Sequence, residues 1–301
     1  MNILITGASG LIGKALEKSL SENNHRVFQM KRGQVKNQSF SWQPSENKIC
    51  FDDSIDIDAV IHLAGAGIAD GRWNAKRKKI ILESRETPTR LLSETLAKLK
   101  NKPKVFISGS AIGFYGNTGE QVVDETSHQG SDFLADVCHR WETATEPASK
   151  AGIRRVNIRL GMVLSPVRGA LQKMILPFKM GVGGIIGNGK QYISWVSIHE
   201  VVSMIQFIIE NEIIIDAVNL VSKQPVTNRT FTKTLGSLLK RPTILPLPAF
   251  IARMMFGEMA DALLLSGSRV IPNKLENAGY RFIDTGLENT LTRIIAKEVK
   301  V

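Results

Sequence analysis

The most constraining stretch of this chain is its start. A short apolar run, Asn2–Thr6, leads directly into Gly7-Ala8-Ser9-Gly10-Leu11-Ile12-Gly13, and an amphipathic segment, Leu11–Asn23, follows. The glycines fall at G-x-x-G-x-x-G spacing. Glycine allows a tight turn, lets backbone approach an anion closely, and lets a helix pack directly on a strand. The first helical turn then offers free N–H groups and the positive end of its dipole. Strand, loop and helix in this order open a βαβ unit that cradles a dinucleotide pyrophosphate. The expected contacts are Thr6, Gly7, Ser9, Gly10, Leu11, Ile12 and Gly13.

The alternation continues along the first half. Arg26–Met30, Asp58–Leu63, Lys104–Ser108 and Arg154–Leu160 read as buried strands, with helices at Ala75–Leu99 and Asp132–Ala151. That order predicts an α/β fold, a Rossmann-type doubly wound parallel sheet covered on both faces. Residues 33–50, polar and carrying Trp42 and Pro44, read as a loop or short hairpin. Past residue 165 the pattern changes. A Gly- and Pro-rich stretch runs to 190, then a strand at Gln191–Val196, a helix at Ile198–Asn211 and a strand at Ala217–Val221 that returns to the main sheet. Residues 227–301 are mostly helical, broken by Pro242, Pro246, Pro248 and Pro272. The expected division is a dinucleotide-binding domain over 1–165, with segments near 191–221 returning to it. A smaller, mostly helical substrate-side region covers 166–301.

The second strand settles the cofactor expectation. An acid at its end would hold the ribose 2′-hydroxyl of NAD. Here the strand ends in Lys31-Arg32, with no acid. A carboxylate repels a 2′-phosphate, whereas a guanidinium binds one in a fork, so NADP(H) is expected over NAD(H).

Composition narrows the partners. The 39 Lys and Arg against 28 Asp and Glu give a formal charge of +11, with 43% hydrophobic and 22% charged residues. This excludes a disordered chain, a collagen and a coiled coil. No apolar run reaches the ~18 residues of a membrane span, and no basic leader precedes Ile3-Leu4-Ile5. No RNP-like or helix-turn-helix signature supports a nucleic-acid partner. Cys50 and Cys138 lie far apart, which suits a reducing cytoplasm and provides no metal-ligand pair. The expected partner is a small-molecule substrate, with a homodimer the one assembly considered. The excess charge reads as one nucleotide site plus a solvated basic surface at Lys76–Lys79 and Lys297–Lys300.

Several ordered stretches carry a family resemblance. They include Asp58–Asp70 (DAVIHLAGAGIAD), Arg72-Trp73, Ser84–Leu92 (SRETPTRLL), Ser108–Gly116 (SGSAIGFYG) and Asp132–Glu142 (DFLADVCHRWE). Later ones are Arg159–Ser165, Gly181–Val196, Pro225–Arg229, Gly257–Ser266 and Arg269–Gly279. With the glycine loop, they resemble the extended short-chain dehydrogenase/reductases, and more closely an atypical YfcH-like epimerase branch with a C-terminal domain of unknown function. The resemblance spans essentially the whole chain. It implies a nicotinamide-dinucleotide-dependent oxidoreductase or epimerase-like protein, NADP(H)-dependent by the Lys31-Arg32 reading, acting on an unidentified small carbonyl or hydroxyl substrate, with sugar nucleotides one candidate class. It adds Leu63, Ala64 and Gly65 to the cofactor positions, where backbone would approach the adenine-side ribose.

The catalytic pattern departs from that family. Its active members use a Ser or Thr, a proton-transferring Tyr, and a Lys that lowers the Tyr pKa. Ser110 matches the serine. The Tyr-x-x-x-Lys pair would fall near Leu134 and Cys138, and none of Tyr115, Tyr192 and Tyr280 has Lys four residues on. Tyr115 is the one nearby replacement acid. The loss of the pair raises a second function, a nonenzymatic NADP(H)-binding regulator. Arg72 and Trp73 could clamp a planar or anionic substrate, and Trp195 follows a glycine-rich substrate-side loop. His62, in an apolar strand, reads as a satisfied core histidine, and Glu200 as a helix cap or a partner for a base.

Overall fold

The computed structural model of the protein describes residues 1–33, 40–52 and 54–298. Residues 34–39 of the expected loop and Lys300 of the expected basic tail lie outside them. The first half runs β1 (Asn2–Thr6), α1 (Leu11–Glu22), β2 (Arg26–Arg32), β3 (Phe40–Gln43), β4 (Lys48–Phe51), β5 (Ala59–His62), α2 (Ala75–Lys98) and β6 (Val105–Ala111). Then come β7 (Val122–Val123), α3 (Phe133–Thr143), α4 (Glu146–Lys150), β8 (Arg154–Leu160), β9 (Met162–Leu164) and α5 (Ala170–Lys179). The rest is β10 (Tyr192–Ile193), β11 (Trp195–Ser197), α6 (Ile198–Glu210), β12 (Asp216–Leu220), β13 (Val226–Thr227) and α7 (Asn228–Leu238). It ends with α8 (Ala249–Phe256), α9 (Glu258–Ala260), β14 (Arg269–Val270), α10 (Asn273–Asn277) and α11 (Leu287–Glu298).

Eight strands form one sheet in the order β12-β8-β6-β5-β1-β2-β3-β4. Every neighbouring pair is parallel except the β3–β4 hairpin at the edge. Leu4 of β1 sits between Phe28 of β2 and Val60 of β5. The chain winds outward in both directions from β1, so the crevice at a topological switch point opens beyond the ends of β1 and β5.

The continuous apolar runs follow from burial on both faces. Ile3, Ile5, Ala59, Ile61, Val105 and Ile107 pack with Leu16 and Leu20 of α1 and Val201, Ile205 and Ile208 of α6. Leu4, Val60 and Phe106 point the other way, toward Leu92 and Leu96 of α2 and Ala148 of α4. A separate core joins Leu164, Leu171, Phe178, Trp195, Phe231 and Leu291 beyond the sheet. Among the described residues no helix is long and apolar enough to cross a membrane.

Two sequence expectations are corrected here, and a third is resolved in favour of its hairpin alternative. Asp132–Ala151 is two helices, because Pro147 enters at the first turn of α4 and cannot donate the hydrogen bond that would continue α3. Gln191–Val196 is two strands. Between them Ser194 Oγ donates to the Ser268 carbonyl and accepts from the Val270 amide, so β10 and β11 pair with different partners. Within 33–50, the described part forms the β3–β4 hairpin, and β3 extends the main sheet through Trp42, which is buried.

One long-range clasp fixes the C-terminal region. Ser197 caps α6, accepting from the Glu200 amide. The buried Glu200 carboxylate then accepts from the Tyr280 hydroxyl at 2.5 Å, the Ile283 amide at 3.0 Å and the Asp284 amide at 2.6 Å. It does not cap its helix, and among the described residues it meets no base.

Candidate functional site

The glycine loop is built for close approach. Gly7 has φ +71°, and a Cβ there would lie 2.8 Å from the Leu63 carbonyl carbon and 2.9 Å from the Ala64 nitrogen. A Cβ on Gly13 would lie 2.3 Å from the Gly7 oxygen and 2.7 Å from Ala8 Cα. The loops after β1 and β5 therefore touch, and α1 rests directly on the first of them. Gly10 begins α1, its amide donating to the Gly7 carbonyl at 2.9 Å, and no side chain caps the helix. The first-turn N–H groups, Leu11 and Ile12 among them, are left for an anion, and Ser9 and Gly10 are exposed beside them. These residues fit a dinucleotide pyrophosphate.

Beneath the loop lies a directed hydrogen-bond chain. Thr89 Oγ1 donates to the Arg85 carbonyl, so it accepts from His62 Nε2 at 2.8 Å; His62 Nδ1 then accepts from Thr6 Oγ1 at 2.6 Å. All three side chains are buried. Burial drives the His62 pKa down to about 3, so the ring stays neutral. His62 is the satisfied core histidine its strand implies. Between pH 6.5 and about 3 the ring is mostly neutral in the folded chain but mostly charged in the unfolded one. The stabilisation is thus complete above the unfolded value near 6.5 and is lost as pH falls from there toward 3. Unfolding free energies from urea titrations between pH 7 and 4 should fall more steeply for wild type than for His62→Asn, by up to ~1.4 kcal/mol per pH unit. Parallel slopes would refute this.

Lys31 and Arg32 end β2, beside the β1 loop, and both are exposed. Among the described residues neither forms an ion pair. Beyond β5, Leu63 is half-buried, Ala64 buried and Gly65 exposed, and the Leu63 amide donates to the Thr6 carbonyl.

At the end of β6 a polar network emerges. Ser110 Oγ donates to Glu142 Oε1 at 2.6 Å. Arg159 grips the same carboxylate with two bonds, at 2.8 and 2.9 Å, and donates to the Tyr115 hydroxyl at 2.9 Å. Tyr115 in turn donates to Asn219 Oδ1 at 2.8 Å. Tyr115 is 3% exposed, and burial pushes its pKa up to about 12 against the opposing pull of Arg159. Where the family's Tyr and Lys would stand, Leu134 and Cys138 pack around Gly113, and burial pushes the Cys138 thiol up to about 12.

The substrate-side residues are less uniform. Arg72 donates to the Met254 carbonyl at 2.8 Å, next to a Lys78–Glu258 ion pair of 2.5 Å. Trp73 bonds the Ile68 carbonyl and meets Phe133 edge-on. Trp195 is corrected: it is fully buried, its indole N–H donates to the Gln224 carbonyl, and it packs the second core rather than lining a site. Lys76 and Lys79 are solvated as expected, but Arg77 and Lys78 turn inward onto the Gly67 carbonyl and Glu258. The sequence reading missed Glu142, Arg159, Asn219 and Arg85. The one signal for them is Arg159, a charge that alternates with Val156, Ile158 and Leu160 near the buried end of β8.

A doubly wound sheet with a glycine loop at its switch point and a serine at the end of β6 defines an extended short-chain dehydrogenase/reductase. The chain belongs to the NAD dependent epimerase/dehydratase family, whose model matches residues 3–220, followed by a domain of unknown function (DUF1731) over 247–294. Epimerase family protein Mb2239 of Mycobacterium bovis is 42% identical over 281 residues, 93% of each chain. The crystal structure of human epimerase family protein SDR39U1 with NADPH superposes with a TM-score of 0.88 at 29% identity, covering 98% of this chain and 99% of that one. The nucleoside-diphosphate sugar epimerase of Corynebacterium glutamicum gives 0.80 at 33% identity, covering 99% of this chain and 58% of the other.

Proposed function

We propose that this protein is a cytoplasmic, NADP(H)-dependent oxidoreductase of epimerase-like type, acting on a small carbonyl or hydroxyl substrate. The observation that carries the reading is the cradle of Gly7, Gly10 and Gly13 at the switch point, next to a basic strand end that forms no ion pair among the described residues. That human SDR39U1 was crystallised with NADPH supports the same cofactor here. The α1 N-terminus takes the pyrophosphate and Arg32 the 2′-phosphate, with Lys31 on the opposite face of the strand. Leu63, Ala64 and Gly65 line the adenine-side ribose.

When bound, the dinucleotide supplies hydride transfer. Ser110 spends its O–H as a hydrogen bond to Glu142, which leaves its lone pairs to accept from a substrate hydroxyl. Arg159 fixes that carboxylate. Tyr115, proposed from the sequence as the replacement acid, keeps its proton at neutral pH and is read here as a positioning residue. Arg72 and Trp73 mark the substrate side. A second reading, a nonenzymatic NADP(H)-binding regulator, is favoured by the apolar Leu134–Cys138 packing.

Competition binding separates the cofactors. NADPH should bind wild type more tightly than NADH, and Arg32→Ala should weaken NADPH by about 10- to 100-fold while leaving NADH within about threefold. Equal losses for both ligands, or tighter NADH binding to wild type, would remove the NADP(H) assignment.

A further inference from the structure

Arg85 of α2 occupies an unusual place. Its guanidinium donates to the Ala66 carbonyl at 3.0 Å and the Ile81 carbonyl at 2.8 Å, and lies 5.1 Å from the Trp141 ring centroid on α3. Its stem passes Gly65, where a Cβ would sit 3.5 Å from Arg85 Cγ. Among the described residues no carboxylate pairs with it. Its titratable neighbours are Arg77, a like charge, and the thiol of Cys138, which burial keeps neutral. Burial lowers the Arg85 pKa without taking a guanidinium near neutrality. A partly buried cation without a counter-charge is costly, and such groups mark sites whose partner is a ligand.

The sheet order says which part of a ligand that is. Reading across strand ends, Lys31 and Arg32 stand at β2, the glycine loop at β1, and Arg85 beyond β5 toward α3. Strands lie about 4.8 Å apart, so a dinucleotide with its 2′-phosphate at β2 and pyrophosphate at β1 carries its nicotinamide half past β5. Resting on the proposed cofactor, we infer that Arg85 supplies the fixed positive charge facing the nicotinamide half, beside Cys138 where the family's lysine is missing.

The consequence needs no substrate to measure. An oxidised nicotinamide ring carries a positive charge and a reduced ring carries none, so Arg85 disfavours NADP⁺ relative to NADPH. Wild type should bind NADPH about tenfold or more tighter than NADP⁺, measured by cofactor fluorescence and competition. Arg85→Gln should bring that ratio to within about twofold of one, and Arg85→Lys should keep most of it. Taking the ratio within one protein cancels any loss of folded fraction. Arg85→Met, which keeps an apolar stem beside Gly65, replaces the Gln variant if that chain does not fold. An unchanged ratio in the neutral variant, or parallel weakening of both ligands, overturns the inference. Failure of wild type to bind either ligand overturns the cofactor reading instead, and the inference with it.

Discussion

A chain carrying Gly13→Ala is expected to bind NADPH at least about a hundredfold more weakly than wild type and to melt roughly 3–10 °C lower. The new methyl group would sit 2.3 Å from a carbonyl oxygen and 2.7 Å from an α-carbon, both backbone atoms of the loop that α1 must touch. Neither can swing aside as a flexible side chain could. The helix has to lift, and its first N–H groups leave the anion position. Gly286 is the control, since a Cβ there meets nothing within 4 Å and its φ is ordinary; Gly286→Ala should stay near wild type in both measurements. Thermal melting and NADPH titration of the two variants decide it. Binding by Gly13→Ala within threefold of wild type would sink the assignment of this loop to the pyrophosphate.

Glu200→Ala should cost about 3–5 kcal/mol and lower the melting temperature by roughly 6–12 °C, with NADPH affinity unchanged well below the transition. Alanine leaves the Tyr280 hydroxyl and the Ile283 and Asp284 amides without their acceptor in a buried site. Glu200→Gln should fall between, because the amide keeps one acceptor oxygen but turns donors toward donors. A Glu200→Ala melt within 2 °C of wild type would show that the 280–284 segment is held by its apolar contacts instead.

The dinucleotide half of the molecule was legible because its signals are local. The glycine spacing, the apolar strands and the missing acid at Lys31-Arg32 can each be read within a few residues. The boundaries that moved did so for local reasons that periodicity averages away, such as Pro147 inside an amphipathic stretch. The polar network was not legible, because its members come from β6, α3, β8 and β12, and no spacing relates Ser110, Glu142, Arg159 and Asn219. Trp195 shows the converse. Its place after a glycine-rich loop suggested a ligand contact, but only the packing of Leu164, Phe178 and Phe231 around it reveals a core position. Arg85 lies on a helix full of charges, and that no carboxylate among the described residues pairs with it is visible only in three dimensions.

The central place of β1 also bears on how the chain is made. Its two neighbours, β2 and β5, are complete by residue 62, so the middle of the sheet can pair early in synthesis. On one face only α1 covers that nascent sheet until α6 is made at residues 198–210. At about 5–20 residues per second this leaves an apolar surface bare for on the order of ten seconds on the ribosome. Parallel pairings of this kind form slowly because distant segments must meet first. Newly made chains should therefore lean on holding chaperones until α6 emerges, and truncations just before α6 should bind such chaperones more than those just after β12.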